Sequence, residues 1–303
     1  MCVDCGCSDD AKTTLTSVKP GAVAGVWRSI VGHLHQAGHI HDHSHDHGHD
    51  HGHDHGHDHT HNRNHDGHGH DHHDHPHDHT HGHPHGVVDL QQSVLAKNDR
   101  LAERNRAWLA GREVLMLNLV SSPGSGKTTL LERTIRDMKG RVQISVVEGD
   151  QATANDAERI AAAGAHAIQI NTGTGCHLEA DAIQQALTQL KPAPGSIVMV
   201  ENVGNLVCPA LFDLGEKAKV AILSVTEGED KPLKYPHMFR AASLMLLNKI
   251  DLLPHLDFDV AKAIRLAHEV NPALEVIEVS AKSQAGMSDW YCWLEERLAE
   301  VRV

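Results

Sequence analysis

The sequence predicts an α/β domain, a mostly parallel central sheet flanked by helices, preceded by a disordered histidine-rich tail. Three observations predict it. From residue 87 onward, near-continuous Val/Ile/Leu runs alternate with helical patterns, as strands buried on both faces and their crossover helices require. A glycine-bearing loop, Ser121–Thr128, lies between one such run and the next helical pattern. Residues 33–86 offer no apolar face, so burial cannot offset the entropy of ordering them.

The elements follow in order. Residues 1–32 read as a short cysteine-bearing head with a Gly/Pro/Ser-rich connector, and 33–86 as low complexity with repeats such as His-Gly-His-Asp. The third region, 87–303, reads as one domain of about 215 residues. It opens on a helix from Asp89, its candidate N-cap, to Arg112. Strands are expected at Val114–Val120, Val142–Val147, Ala167–Ile170, Ile197–Val200, Val220–Val225, Leu244–Leu247 and Val276–Val279. Helices are expected at about 127–138, 153–163, 178–190, 259–270 and 287–301.

Charge is unevenly spread. The stretch from His33 to His85 holds 25 of the 30 histidines and, with nine Asp against one Arg, contributes −8 of the net −13. The rest is mildly acidic, no basic patch stands out and aromatics are 3% of the chain, so a nucleic-acid surface is unsupported. The first residues lack the basic start and apolar core of a secretory signal, and no apolar run is long enough to span a bilayer. The six cysteines show no disulfide-framework spacing. A cytoplasmic setting is expected, where close-spaced cysteines serve as metal ligands rather than disulfides.

Ser121-Ser122-Pro123-Gly124-Ser125-Gly126-Lys127-Thr128 follows a strand and opens a helix, the context of a P-loop NTPase. Gly124, Ser125 and Gly126 let backbone N–H groups close around phosphate oxygens at the helix N-terminus, with Thr129 next to them. Lys127 is expected at the β/γ-phosphates and the Thr128 hydroxyl at Mg²⁺. Ser121 stands where the general pattern has its first Gly. Asn248-Lys249-Ile250-Asp251 follows a later strand. The Asp251 carboxylate can accept from guanine N1–H and the N2 amine, a pair that adenine lacks. Ser280-Ala281-Lys282, after the last strand, resembles the supporting loop of a guanine pocket. Turn residues alone would explain Asn248 and Asp251 taken singly. With Glu201–Gly204, taken next, four motifs in order on the expected elements favour GTP over ATP.

Two acidic positions are candidate catalytic and Mg²⁺-binding residues beside Lys127. Glu201-Asn202-Val203-Gly204 resembles the acidic-x-x-Gly switch with Glu for Asp, and the extra methylene predicts a water-mediated Mg²⁺ contact. Asp150, at a strand end in Glu148-Gly149-Asp150, could bind Mg²⁺, orient the attacking water, or merely turn the chain. No general base resembling the Gln of small signalling GTPases can be assigned, which predicts slow intrinsic hydrolysis.

Three groups of metal ligands occur. Imidazoles at nearly every second position of the tract suit Ni²⁺, Zn²⁺ or Cu²⁺ in many moderate sites, with a pH-responsive spacer as the alternative. Its loading is expected to fall as pH drops through about 6.5. Cys2, Cys5 and Cys7, with an α-amine after removal of Met1, could form a tight square-planar site. Cys176-His177 precedes a helix, where thiolate is favoured, and Cys208 lies four residues beyond Gly204. If they meet, metal and nucleotide affinities are coupled; singly, each cysteine reads as core. Cys292, between Trp290 and Trp293 on the last helix, reads as core.

Taken together, Cys2-x-x-Cys5-Gly-Cys7, the histidine tract, Ser121–Thr128, Gly175-Cys176-His177, Glu201–Cys208 and Asn248–Asp251 resemble the HypB family of GTPases for nickel insertion into [NiFe] hydrogenase. In that family Ser121 is a typical variant. The resemblance implies a GTP-dependent homodimer of the P-loop class that includes signal-recognition GTPases, Mg²⁺ with GTP, and Ni²⁺ as cargo, with Zn²⁺ as an alternative at the G-domain site. It also implies a tight head site, a weaker site using Cys176, His177 and Cys208, and delivery to the hydrogenase large subunit. The partners it implies are a HypA-type accessory protein and, in some organisms, the SlyD prolyl isomerase. Leu252, Leu253 and Leu256 are candidates for the dimer surface, with core packing as the alternative. The urease-type nickel GTPases are the near alternative, but they place Cys-Pro-His together, whereas Cys208-Pro209 is followed here by Ala210. A nickel or zinc storage protein with a purely structural nucleotide domain is the reading from a different class.

Overall fold

Strands made of Val, Ile, Leu and Met on both faces must be covered by helices on both sides, and the structure is arranged so. The computed structural model describes residues 13–21, 85–150 and 155–302. Cys2, Cys5, Cys7, the histidines from His33 to His83, and Thr153 lie outside the described residues. Contacts divide the chain into Gly32–His85 and, as a second unit, Met1–Val31 with Gly86–Val303. All elements below belong to the second unit, apart from the first residue of α1.

The order is β1 (Thr14–Val18), α1 (His85–Ala110), β2 (Leu115–Ser121), α2 (Lys127–Asp137), β3 (Ile144–Asp150), α3 (Asn155–Ala163), β4 (His166–Asn171) and α4 (Ala180–Leu190). It continues with β5 (Ile197–Glu201), α5 (Cys208–Leu211), β6 (Ala218–Ser224), α6 (Lys231–Lys234), α7 (Pro236–Ala241) and β7 (Leu244–Asn248). A 3₁₀ turn (Ile250–His255), α8 (Val260–Val270), β8 (Glu275–Val279) and α9 (Met287–Val301) complete it.

The described strands form one sheet in the order β1-β4-β3-β5-β2-β6-β7-β8. All pairs are parallel except β1 with β4. The chain leaves β2 towards β3 on one side, then passes from β5 to β6 on the other. That reversal opens a crevice at the carboxyl ends of the central strands, where ligands of such sheets bind.

Period-two alternation sorts the core into layers. Leu115, Leu117 and Leu119 of β2 pack with Leu130, Leu131, Ile135, Ile160, Trp290 and Leu294 from α2, α3 and α9. Met116 faces the opposite side, with Leu109 of α1 and Ile183, Leu187 and Leu190 of α4. Asn118 shares that second face and is fully buried, a polar side chain in the middle of an otherwise apolar run.

Several expectations are corrected. Helix α1 begins at His85, so Asp89 lies inside it and is not its N-cap. The connector assigned to residues 1–32 contains β1, which pairs antiparallel with β4 from Thr14↔Asn171 to Val18↔Ala167. Its alternating Thr, Leu and Ser side chains suit an edge strand with one wet face. Cys292 is exposed, not core. The buried face of α9 is set by Met287, Trp290, Tyr291, Trp293, Leu294 and Leu298, and position 292 points away from it. Among the described residues no helix is long and apolar enough to cross a membrane.

Candidate functional site

The loop between β2 and α2 turns sharply because Gly124 and Gly126 adopt φ of 73° and 97°. At Gly126 a Cβ would also come within 2.8 Å of Asn248 Nδ2. Ser121 closes β2 with its side chain fully buried. Its Oγ accepts from Lys127 Nζ at 2.8 Å and from Ser125 Oγ at 2.6 Å, and donates to the Ser122 carbonyl at 2.7 Å. The serine in the first-glycine position thus fixes the loop lysine. Burial lowers the Lys127 pKa, and Glu201 partly opposes that shift.

Around this loop lies a cavity of about 590 Å³, lined by Gly124–Thr129, Glu148–Asp150, Asp156, Arg159, Glu201–Gly204 and Lys249. Thr128 Oγ1 donates directly to Glu201 Oε1 at 2.8 Å. Glu148 and Glu201 face each other in register across β3 and β5. Burial, reinforced by the charge of Glu201, pushes Glu148 up to about 9; burial pushes Glu201 up to about 7. Oε2 of each is buried without a hydrogen-bond partner. Such a pair beside Thr128 suits a cation that takes up oxygen ligands. Glu148, Asp156 and Arg159 were not singled out by sequence reasoning. Only the cross-strand register and the return of α3 over the loop bring them here.

A second, smaller cavity of about 240 Å³ adjoins the first and is lined by Gly126, Thr129, Asn248, Lys249, Asp251, Leu252 and Ser280–Lys282. The structure therefore brings together all the predicted nucleotide residues. Asn248 Nδ2 donates to the Ser125 carbonyl at 2.9 Å, and Lys249 Nζ to the Gly124 carbonyl at 2.6 Å. Ser280 Oγ donates to Asp251 Oδ1 at 2.6 Å, orienting that carboxylate. Lys249 holds φ of 65°, a left-handed conformation that turns the chain out of β7 into the 3₁₀ turn.

Cys176, His177 and Cys208 also meet, with one ligand atom from each within 4.8 Å of the others. Cys176 Sγ lies 2.9 Å from Cys208 Sγ and 3.5 Å from His177 Nδ1. Cys176 and His177 come from the loop after β4, whereas Cys208 opens α5. The histidine is therefore supplied from a separate loop, not from the residue after Cys208-Pro209. His177 stacks on Phe212 with ring centroids 3.8 Å apart, and burial lowers its pKa to about 4. Two sulfurs and a neutral imidazole suit borderline metals such as Ni²⁺ and Zn²⁺. Asn205 Nδ2 donates to the Cys176 carbonyl at 3.4 Å, and a Cβ at Gly204 would lie 3.0–3.1 Å from Pro123. One segment, Glu201–Cys208, thus touches both the phosphate loop and the thiol cluster.

Leu256 is 40% exposed, while Leu252 and Leu253 are partly buried against the cluster that includes Phe239 and Met245.

Comparison with known proteins agrees with this geometry. Residues 115–278 match the CobW/HypB/UreG nucleotide-binding domain. The chain is 63% identical over 209 residues to the hydrogenase maturation factor HypB of Escherichia coli (strain K12), covering 69% of this chain and 72% of that protein. It is 37% identical over 217 residues to the hydrogenase/urease maturation factor HypB of Helicobacter pylori, covering 70% and 89%. Among solved structures, HypB from Helicobacter pylori in complex with nickel superposes with a TM-score of 0.64 at 38% identity, covering 67% of this chain and 96% of that one. HypB from Archaeoglobus fulgidus gives 0.63 at 40%, covering 67% and 100%. The chain belongs to the HypB family of hydrogenase maturation factors, within the CobW/HypB/UreG group of P-loop nucleotide-binding proteins.

Proposed function

We propose that this protein is a GTP-hydrolysing nickel metallochaperone that holds nickel and supports its insertion into the [NiFe] hydrogenase large subunit. The observation that carries the reading is the continuity of Glu201–Cys208. Its first residue accepts from Thr128 of the phosphate loop, and its last lies beside Cys176. A relative's nickel complex supports nickel as cargo.

In this reading Gly124–Thr129 and Lys127 hold the phosphates. Asn248, Lys249, Asp251 and Ser280–Lys282 hold guanine. Thr128, Asp150 and Glu201 would hold Mg²⁺, which offsets charge on the transferring phosphoryl group. The Lys127 amine, held by Ser121 beside the loop, turns to the phosphate oxygens. Asp150, at the end of β3, orients the attacking water, and hydrolysis is slow for want of a further base. Nickel, or Zn²⁺ in its place, sits on Cys176, His177 and Cys208. The head cysteines form a tighter site, and the histidine tract of 33–86 is a reserve. GTP orders the switch segment and a homodimer in the cytoplasm. Hydrolysis then resets metal affinity so that nickel passes onward, with a HypA-type protein and, in some organisms, SlyD as accessory partners.

Nickel affinity of the full chain with Cys2, Cys5 and Cys7 changed to Ala tests this reading. It is followed by the thiolate-to-nickel charge-transfer band, which ignores imidazole-only sites. With GDP and with a non-hydrolysable GTP analogue the affinities are expected to differ severalfold. Equal affinities would sink the coupling.

A further inference from the structure

Two cavity-lining elements contact the residue next to His177, and they do so differently. Leu178 is buried, and a Cβ at Gly149 of β3 would lie 2.8 Å from its side chain. That contact is apolar and non-directional. The other contact is a hydrogen bond: the Leu178 backbone N–H donates to Asn202 Oδ1 at 3.3 Å. Asn202 immediately follows Glu201, the residue held by Thr128.

Asn202 is 2% exposed and has its hydrogen-bonding capacity committed in several directions. The same Oδ1 accepts from the Val203 N–H at 2.9 Å, which fixes the first residue of the switch turn. Its Nδ2 donates to Asn118 Oδ1 at 3.1 Å. Asn118 Nδ2 in turn donates to Glu216 Oε1 at 3.2 Å, and Lys219 Nζ lies 2.6 Å from that same oxygen. The support therefore runs back into β2 and β6, the rigid centre of the sheet. A carboxamide clamped from behind cannot rotate freely. When the backbone at 201–203 shifts, the oxygen facing Leu178 must shift with it or lose its donor.

We propose that Asn202 is the positioning residue that carries nucleotide state to the Cys176/His177/Cys208 cluster, its carboxamide linking the backbone of the acidic switch to the backbone beside His177. The inference rests on the proposed function and adds a named route to it. The route is short: Thr128 to Glu201, along one peptide to Asn202, across one hydrogen bond to Leu178, and along one peptide to His177. A buried carboxamide bonded through both its oxygen and its nitrogen is either bonded or broken at each contact, and a broken one is costly. That bistability is what transmission between two sites needs.

The test uses the full chain carrying Cys2, Cys5 and Cys7 to Ala, with Ni²⁺ as probe and the charge-transfer band as readout. In this parent the ratio of nickel dissociation constants with GDP and with the GTP analogue is expected to lie between about 5 and 150. Asn202→Ala is expected to bring the ratio within twofold of one. It should leave the charge-transfer band in place. A merely structural role would lower both affinities together and leave the ratio alone. A ratio in Asn202→Ala equal to the parent's overturns this inference while leaving the proposed function standing; a parent ratio of one overturns both. Should Asn202→Ala fail to fold, hydrogen exchange of the Leu178 amide in the parent decides. Its protection is expected to differ between GDP and the analogue, and identical protection overturns the inference.

Discussion

Glu148 shows how a single residue's chemistry depends on what lies across the strand. Its carboxyl is raised to about 9, first by burial and then by Glu201, its neighbour in register. In the unfolded chain the same carboxyl titrates near 4.5. Between those values the folded state binds a proton that the unfolded state does not, so folding stability falls as pH rises through that window. Glu148→Gln removes the dependence. Urea unfolding of nucleotide-free protein is expected to show the variant gaining on the parent from pH 5 to pH 8.5, by up to about 1.4 kcal/mol per pH unit; parallel profiles would refute it. In the second cavity, Asp251→Asn replaces a double acceptor by one acceptor and one donor. GTP affinity is expected to fall about 100-fold, some 3 kcal/mol for the lost charge-assisted pair. Affinity for xanthosine triphosphate, whose base has an oxygen at the amine position, should rise. The residues lining the two cavities that are proposed to hold nucleotide were legible in sequence because each motif is consecutive: Gly124 to Thr128, Asn248 to Asp251, Ser280 to Lys282. Glu148 was not, because its partner is on another strand. Ser121 was noticed as a departure, but only the fold shows its hydroxyl gripping Lys127.

At the scale of elements, α1 is clamped to the loop ahead of β6 by polar side chains rather than by its apolar stripe alone. Asn105 Nδ2 donates to the carbonyls of Leu214 and of Ala180 at the start of α4, Asn98 Nδ2 to that of Asp213, and Arg106 Nη2 reaches both oxygens of the Asp213 carboxylate at 2.6 and 2.7 Å. Gly215 permits the approach: at φ of 89°, a Cβ there would lie 2.5 Å from the Ala102 carbonyl oxygen. Gly215→Ala is expected to cost on the order of 3 kcal/mol by urea unfolding, with strain and backbone displacement adding. Gly140→Ala is the control. It has a similar φ of 84° with nothing within 4 Å, and is expected to cost only about 1 kcal/mol. Equal losses would show that α1 is not held at this contact. The central strands and long helices were readable from their apolar runs and differ from expectation by only a residue or two at most ends. The first strand was not, since β1 is five residues long and its partner β4 begins at His166, far along the chain. Non-local pairing of a short, half-polar edge leaves little local signal. The short helices α5, α6 and α7 escaped for a related reason: at four to six residues they carry no periodicity.

For the whole molecule, the sheet gathers two chemistries on its carboxyl edge. The nucleotide motifs could be placed there from sequence, because each follows a strand. That Cys176, His177 and Cys208 form one cluster was only conditional, since 32 positions separate the two cysteines. It is the order β4-β3-β5-β2 that sets the loop after β4 against the segment after β5. In the proposed function, turnover of GTP governs nickel at this cluster. A single-turnover experiment tests it most directly: full chain with the head cysteines changed to Ala, loaded with one equivalent of Ni²⁺ and GTP, with a chelator in excess. Phosphate release and the thiolate-to-nickel band are followed together. The band is expected to decay in step with phosphate release, and Lys127→Ala, slow to hydrolyse, to retain it. Nickel loss at the same rate in both proteins, independent of phosphate release, would contradict it.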